Sequence, residues 1–213
     1  MTKIKICGLK IKKDFEFVAS LGVDYAGIIF VENVKRQISK IEAQNISNAA
    51  KKISNPPKLV GLFADQKLEY IKQIYHRYSL NYVQLCGNED QDFLNELDIP
   101  FIKQIKLKSN LNFTEIFNQI EFVKSIGGLV SIDAYKEGHY GGSGKLINLS
   151  DAQTIIDKHK VFLSGGLNSD NIINIIDKIK PWAVDVSSGV ETNNKKDMCK
   201  MEKFVNDVRS VKN

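Results

Sequence analysis

The amino-acid sequence predicts a (β/α)8 barrel, which is a closed parallel sheet of eight strands surrounded by helices. Short apolar runs alternate along the chain with amphipathic segments of about ten or more residues, and this alternation is typical of parallel βαβ units. Eight such units follow one another, which favours a closed barrel over an open doubly wound sheet. The 213 residues show no linker and no change in composition, so we expect one domain spanning residues 1–213.

The predicted strands are the short runs dominated by Val, Ile, Leu and aromatic residues. The chain enters the first of them directly, through the alternating stretch KIKIC. Because these runs are separated by helical segments, consecutive strands should be parallel neighbours. In chain order the predicted strands are residues 3–7, 25–30, 58–64, 82–86, 101–107, 128–132, 161–164 and 183–186.

The predicted helices are the amphipathic segments that follow the strands. Asn168, Ser169 and Asp170 supply N-cap chemistry for the seventh helix. The fifth helix has the weakest signal, because Ser109, Asn110 and Asn112 are typical of a loop. In chain order the predicted helices are residues 12–21, 40–53, 68–78, 91–97, 113–123, 150–157, 169–179 and 196–211.

Composition and charge exclude several classes of protein. The formal net charge is +5, but the lysines are interleaved with Asp and Glu and form no basic and aromatic stripe, so no nucleic-acid partner is expected. No segment approaches the roughly eighteen apolar residues of a membrane span, and the amino terminus has no leader-like apolar region. The three cysteines, Cys7, Cys86 and Cys199, are far apart and lack CxxC spacing. This usage indicates a reduced, cytoplasmic chain with no disulfide and no zinc site.

Active sites of (β/α)8 barrels lie at the carboxyl ends of the strands, so the residues that follow each apolar run are the candidates. The sixth strand leads into the stretch IDAYKEGHYGGSG at residues 132–144, in which the carboxylate of Asp133 precedes a glycine-rich loop. Glycine allows the main chain to approach an anion closely, and successive N–H groups can form an anion-binding nest. A carboxyl group beside such a loop suits a phosphorylated small molecule.

Glycine and serine turns also follow the seventh and eighth strands. The loops at these two positions form the usual phosphate site of such barrels, where N–H groups and a short helix N-terminus face the anion. The predicted phosphate-binding residues are Gly142, Gly144, Gly165, Gly166, Ser187, Ser188 and Gly189.

Arginine is scarce in this chain. Only Arg36, Arg77 and Arg209 occur, and lysine makes up the rest of the 30 basic residues. Arg36 lies in the polar loop after the second strand, near the predicted site. Because the guanidinium group presents a planar fork that lysine lacks, Arg36 is a candidate ligand for a substrate carboxylate.

Several motifs together resemble the phosphoribosylanthranilate isomerase family. They occur in the family's order and cover nearly the whole chain: KICGL at 5–9, Arg36, VQLCG at 83–87, Asp133 followed by GGSG, LSGGL at 163–167 and VDVSSGVE at 184–191. The resemblance implies a barrel that converts N-(5-phosphoribosyl)anthranilate into 1-(2-carboxyphenylamino)-1-deoxyribulose 5-phosphate in tryptophan biosynthesis. The reaction is an Amadori rearrangement, and the family uses neither a metal nor a cofactor.

The resemblance also implies roles for individual residues. Asp133 is the general acid, Cys7 is the general base, Arg36 binds the anthranilate carboxylate, and Asp185 orients a ribulose hydroxyl. Such an acid needs a raised pKa, and the thiol of Cys7 must ionise at least part of the time. We expect apolar walls around Asp133 and backbone dipoles near Cys7 to supply these pKa shifts.

The chain departs from the family pattern at two places. Cys86 replaces the usual His of the VQLCG motif, which puts in doubt the polar contacts of that position, and no role is assigned to Cys86 or Cys199. Residues 145–149 are KLINL, where the family usually has an aromatic residue and an acid before a Trp. Family members occur alone or fused to the next enzyme of the pathway. Because this chain ends just after its eighth helix, we expect the free form, as a monomer or a homodimer.

Other functions remain open from the residues alone. A pentose-phosphate epimerase would need His and Asp metal ligands at strand ends, but His76, His139 and His159 lie at none of them. An indole-glycerol-phosphate synthase would need catalytic Lys and Glu, and Lys103 and Lys106 have no matching set of acids. A non-catalytic binder of phosphorylated metabolites is a third possibility, against which the pairing of a thiol with an acid argues.

Overall fold

A computed structural model describes residues 1–108, 111–134 and 148–211. Eight parallel strands, β1 to β8, form a closed barrel, in which each strand pairs with the next in the chain and β8 pairs with β1. This topology confirms the predicted fold class. The strands are Lys3–Cys7, Tyr25–Ile29, Lys58–Phe63, Tyr82–Leu85, Phe101–Leu107, Leu129–Ala134, Phe162–Ser164 and Ala183–Val186.

Eight helices, α1 to α8, alternate with the strands. Their starts follow local capping chemistry: Ser39 forms a capping box with Glu42 at α2, and the side chains of Asp90, Asn112 and Asp197 accept backbone N–H bonds at α4, α5 and α8. The helices are Lys12–Ser20, Lys40–Ala50, Leu68–Arg77, Gln91–Glu96, Phe113–Ser125, Leu149–Ile156, Ile172–Ile179 and Met198–Ser210.

The prediction for the start of the seventh helix is wrong by three residues, because α7 begins at Ile172 rather than at residue 169. The side chain of Asn168 instead accepts the N–H groups of Asp170 and Asn171, which holds this segment as a loop before the helix. Local side-chain hydrogen bonds of this kind compete with helix formation. The loop after β7 is therefore longer than the sequence pattern indicates.

A small hairpin between β8 and α8 is absent from the sequence prediction. Strands β9 (Glu191–Thr192) and β10 (Lys195–Lys196) pair in antiparallel fashion through a two-residue turn. The turn residues, Asn193 and Asn194, have φ values of 51° and 60°. Asparagine tolerates this left-handed conformation, which a tight hairpin turn requires. As a result α8 begins at Met198, two residues later than predicted.

Alternate residues of the strands face two different cores. Ile4 and Ile6 of β1 belong to the large cluster between the barrel and its helices, whereas Cys7 belongs to a second cluster inside the barrel, together with Val60 and Phe162. Because successive side chains of a strand point to opposite faces, Lys5 lies on the interior face with Cys7. The barrel interior thus receives a lysine from its first strand.

The middle of the barrel interior is polar. The buried pairs are Lys5 with Asp185 at 2.7 Å, Ser131 with Ser164 at 3.0 Å and Gln84 with Gln104 at 3.3 Å. Buried polar groups of this kind are retained where they are hydrogen-bonded to one another. They form a floor beneath the carboxyl ends of the strands.

None of the helices in the described ranges combines the length and apolarity needed to cross a bilayer.

Candidate active site

The mouth of the barrel, at the carboxyl ends of β1 to β8, collects the predicted catalytic groups. Cys7 is the last residue of β1, Asp133 lies one residue before the end of β6, and Asp185 lies within β8. All three are buried, with relative exposures of 4%, 3% and 9%. The positive charge of the Lys5 ammonium group acts on each of them.

The ion pair between Lys5 and Asp185 is the centre of this arrangement. Lys5 and Asp185 are direct register partners on β1 and β8, and the Nζ–Oδ2 distance is 2.7 Å. Burial alone would lower the pKa of Lys5, but the charge and hydrogen bond of Asp185 outweigh it and raise that pKa. Lys5 is therefore a fixed positive charge beneath Cys7. Oδ1 of Asp185 accepts no hydrogen bond from the residues that the structure describes.

The thiol of Cys7 lies in a space left by a glycine. A Cβ atom on Gly27 would lie 2.8 Å from Sγ of Cys7, so any larger residue at position 27 would displace the thiol. Burial raises the pKa of Cys7, while the ammonium groups of Lys5 and Lys196 oppose that shift. The two lysines favour the thiolate, and the contribution expected from backbone dipoles stays a prediction.

Asp133 lies in an environment that favours the protonated form of its carboxyl group. Burial raises its pKa to about 7, and the negative charge of Asp185 adds to this shift. Its Oδ1 has no hydrogen-bond partner within residues 1–108, 111–134 and 148–211. The same oxygen would lie 2.8 Å from a Cβ on Gly165, so it is directed towards the loop after β7. Burial is the main cause of the raised pKa, and the apolar walls expected from the sequence stay a prediction.

Arg36 lies at the same mouth and is bound by a residue that the sequence analysis did not select. Its Nε and Nη2 donate to the two carboxylate oxygens of Glu191 at 2.7 and 2.8 Å. Nζ of Lys196 donates to Glu191 Oε1 at 2.7 Å and to the carbonyl of Ser187 at 2.8 Å. A Cβ on Gly8 would lie 2.8 Å from Cδ of Arg36, which places the arginine beside the end of β1.

The two predicted phosphate loops after β7 and β8 lie against each other. A Cβ on Gly189 would lie 1.9 Å from the carbonyl oxygen of Leu167, so only glycine allows this approach. Gly165 and Gly166 have φ values of 99° and 65°, which also favour glycine. Ser188 and Gly189 begin a short 3₁₀ helix, and neither N–H donates to a backbone carbonyl among the described residues.

The remaining three phosphate assignments differ in outcome from those above. Ser187 uses its hydroxyl to donate to the carbonyl of Cys7 at 3.1 Å, which links the loop after β8 to the end of β1. Gly142 and Gly144 lie outside the described residues.

Cys86 is buried inside the barrel next to Gln84, whose Nε2 lies 3.7 Å from Sγ of Cys86. In the described part of the chain, no group of three or more His, Cys, Asp and Glu residues could hold a metal.

Sequence reasoning missed three charged residues of the site, namely Lys5, Glu191 and Lys196. Lys5 carried a usable signal, because it precedes Cys7 by two residues on a strand and must share its face. Glu191 ends the VDVSSGVE motif, but its contacts with Arg36 and Lys196 depend on the hairpin and on the path of the loop that holds Arg36.

A (β/α)8 barrel whose mouth holds a buried thiol, a buried carboxyl with a raised pKa and a lysine is typical of barrel enzymes that use acid–base catalysis. The chain matches the family model described as N-(5'phosphoribosyl)anthranilate (PRA) isomerase over residues 4–207. It is 34% identical over 214 residues to N-(5'-phosphoribosyl)anthranilate isomerase of Dehalococcoides mccartyi, covering 99% of this chain and 97% of the relative. The chain belongs to the N-(5'-phosphoribosyl)anthranilate isomerase family and is an isomerase.

Solved structures agree with this assignment. The crystal structure of phosphoribosyl anthranilate isomerase from Thermotoga maritima has a TM-score of 0.85 and 30% identity, covering 99% of this chain and 100% of that one. A second, at TM-score 0.79 and 28% identity with the same coverage, is a phosphoribosyl anthranilate isomerase in complex with reduced 1-(o-carboxyphenylamino)-1-deoxyribulose 5-phosphate. The predicted family is thus confirmed.

Proposed function

We propose that Asp133 and Cys7 of this isomerase act as acid and base in converting N-(5-phosphoribosyl)anthranilate into 1-(2-carboxyphenylamino)-1-deoxyribulose 5-phosphate, a step of tryptophan biosynthesis. One observation carries the assignment of roles. The mouth holds a carboxyl whose pKa is raised to about 7 and a thiol beside two lysines, so one group can donate a proton and the other can accept one.

Ring opening is the first step. Asp133 donates its proton to the furanose ring oxygen while the bond from that oxygen to C1′ breaks. The lone pair of the anthranilate nitrogen forms the C1′–N double bond, which gives a protonated Schiff base. The proton must come from a group that still holds it near neutral pH, and burial gives Asp133 that property.

Proton abstraction from C2′ is the second step. The thiolate of Cys7 removes this proton, and the electron pair of the C–H bond forms the C1′–C2′ double bond of an enolamine while the Schiff-base nitrogen recovers its lone pair. Lys5 favours the ionised form of Cys7 and so assists the base. The enolamine then becomes the amino ketone as C1′ gains a proton and the C2′ hydroxyl loses one.

Three further contacts bind the substrate in this proposal. The N–H groups around Gly165, Gly166, Ser188 and Gly189, with Gly142 and Gly144, hold the phosphate, supported by the close contact of the loops after β7 and β8. Oδ1 of Asp185 accepts a hydrogen bond from a ribulose hydroxyl. This role is supported because that oxygen has no other hydrogen-bond partner among the described residues. Arg36 binds the anthranilate carboxylate.

The decay of anthranilate-type fluorescence on mixing the protein with freshly generated N-(5-phosphoribosyl)anthranilate tests the proposed function. We expect rapid decay without added metal. No decay with a folded protein that still binds inorganic phosphate would contradict the proposal and favour the non-catalytic binder.

We also propose that the protein is cytoplasmic, that residues 1–213 form one domain, and that the chain is a monomer or a homodimer. Sedimentation velocity would determine the state of assembly.

Replacing Arg36 with Met should raise KM by about 10- to 100-fold, because the substrate carboxylate loses a charge-assisted bidentate partner. Steady-state kinetics measure the change. Arg77→Met is the matched control, since Arg77 is an exposed arginine on α3. An unchanged KM in Arg36→Met would remove Arg36 from the carboxylate site.

A further inference from the structure

Glu191 occupies one edge of the Arg36 guanidinium. The two hydrogen bonds, Nε to Oε1 at 2.7 Å and Nη2 to Oε2 at 2.8 Å, form a bidentate pair. The side chains of Arg36 and Glu191 are 17% and 6% exposed, so the pair is largely removed from solvent. A carboxylate of the protein thus already holds the arginine proposed to bind a carboxylate of the substrate.

The other edge of the guanidinium stays available. Arginine has five N–H donors, and Glu191 uses one on Nε and one on Nη2. Three donors are left, two on Nη1 and one on Nη2, and these two nitrogens form a second fork. Within the described ranges no residue accepts a hydrogen bond from Nη1 of Arg36. A substrate carboxylate can therefore bind end-on without displacing Glu191.

Lys196 completes the group, which we name the Arg36–Glu191–Lys196 triad. Its Nζ lies 2.7 Å from Glu191 Oε1 and its side chain is 2% exposed. Burial alone would raise the pKa of Glu191, but hydrogen bonds and charges from Arg36 and Lys196 lower it, so this carboxylate is ionised. Two cations and one anion leave the triad with a net charge of about +1, which an anionic substrate group requires.

The hairpin sets the triad geometry. Glu191 on β9 and Lys196 on β10 are register partners, and the tight turn between the strands keeps them side by side. Nζ of Lys200 on α8 donates to the carbonyl of Glu191 at 2.8 Å, and Asp197 N donates to the carbonyl of Val190 at 3.0 Å. The backbone that carries Glu191 is thus held by α8 and by the base of the hairpin.

We propose that Glu191 and Lys196 are positioning residues for the substrate carboxylate: Glu191 fixes the orientation of Arg36, and Lys196 balances the charge of Glu191. This inference rests on the proposed role of Arg36. It predicts that the triad determines selectivity for a substrate whose aromatic ring bears a carboxylate, because an arginine that rotates freely would lose its aligned second fork.

Two ligands test the proposal: reduced 1-(2-carboxyphenylamino)-1-deoxyribulose 5-phosphate and its phenylamino counterpart, which lacks the carboxylate. Inhibition constants for both are measured with wild-type protein, Glu191→Gln and Lys196→Met, and the ratio of the two constants reports carboxylate selectivity. We expect each variant to lower that ratio about tenfold, with KM rising by a similar factor and kcat changing less. Lys195→Met is the matched control, because Lys195 is an exposed lysine of the same hairpin.

The change in charge does not confuse the result for Glu191→Gln. This variant loses the negative charge of the triad together with the bidentate pair, and the extra positive charge would strengthen binding of the carboxylate ligand. A reduced ratio in this variant therefore reports the loss of orientation. In Lys196→Met the carboxylate of Glu191 instead cancels the charge of Arg36.

The outcomes separate this inference from the proposed function. If wild-type protein does not prefer the carboxylate ligand, or if Arg36→Met keeps the preference, then the role proposed for Arg36 is wrong. If wild-type protein prefers it and Arg36→Met loses the preference, while Glu191→Gln and Lys196→Met keep the full ratio, then the positioning roles are wrong. Equal weakening of both ligands together with a fall in kcat would indicate a merely structural role and would also overturn the proposal.

Discussion

Cys7→Ser should lower kcat/KM by about a thousandfold, because the hydroxyl of serine is a far weaker base than a thiolate. The substitution keeps the shape of the side chain, and the space beside Gly27 accepts the slightly smaller oxygen. The fold should therefore persist, with an unchanged circular dichroism spectrum and retained binding of the reduced product. Fluorescence decay of the substrate under single-turnover conditions measures the loss.

Cys199→Ser is the control for this experiment, since Cys199 is an exposed cysteine on α8. It should retain wild-type activity. Near-normal turnover in Cys7→Ser would show that Cys7 is not the base, and attention would then move to the other ionisable groups around Lys5. A loss of reduced-product binding together with activity would instead indicate damage to the site.

Asp133→Asn should lower kcat by about 100- to 10,000-fold, because the amide has the same shape but cannot protonate the ring oxygen. We expect no loss of thermal stability, since the substitution removes a buried carboxyl whose Oδ1 has no partner among the described residues. A melting curve and steady-state kinetics together test both statements. Asp98→Asn is the control, because Asp98 is exposed; turnover near the wild-type rate in Asp133→Asn would exclude the residue as the acid.

The pH dependence of kcat/KM follows from the same two groups. The reactive form of the enzyme has a protonated Asp133 and an ionised Cys7. The form with an ionised Asp133 and a neutral Cys7 thiol carries the same number of protons, so the two forms are present over the same pH range. Because the pKa of Asp133 is about 7 and that of Cys7 is raised, the pair loses its first proton near pH 7.

We therefore expect kcat/KM to rise by about tenfold per pH unit below pH 6.5 and to level off above pH 7. The substrate phosphate also titrates, near pH 6, so inhibition by the reduced product over the same pH range provides the correction. A kcat/KM that falls through pH 7 would mean that Cys7 ionises before Asp133, and would contradict the assignment of the shifts.

The order of strands and helices, and the place of the proposed acid and base at strand ends, follow from the sequence alone. Apolar periodicity and turn residues are local properties, and strand ends in a parallel barrel must lie at one mouth, so Cys7, Asp133 and Asp185 could be selected without coordinates. Element boundaries agreed within a few residues. The start of α7 was missed because hydrogen bonds of Asn168 hold the preceding segment out of the helix.

Tertiary structure alone decided which charges meet. The ion pair of Lys5 with Asp185 joins residues 180 positions apart, and the pair of Arg36 with Glu191 joins residues 155 positions apart. Closing the barrel brings β1 against β8, and only then do these charges act on Cys7 and Arg36 across a few ångströms in a site with little water. The sequence by itself determined the barrel and the positions of Cys7 and Asp133 at strand ends; the pKa values and the orientation of Arg36 arise from burial and distance, which exist only in the folded chain.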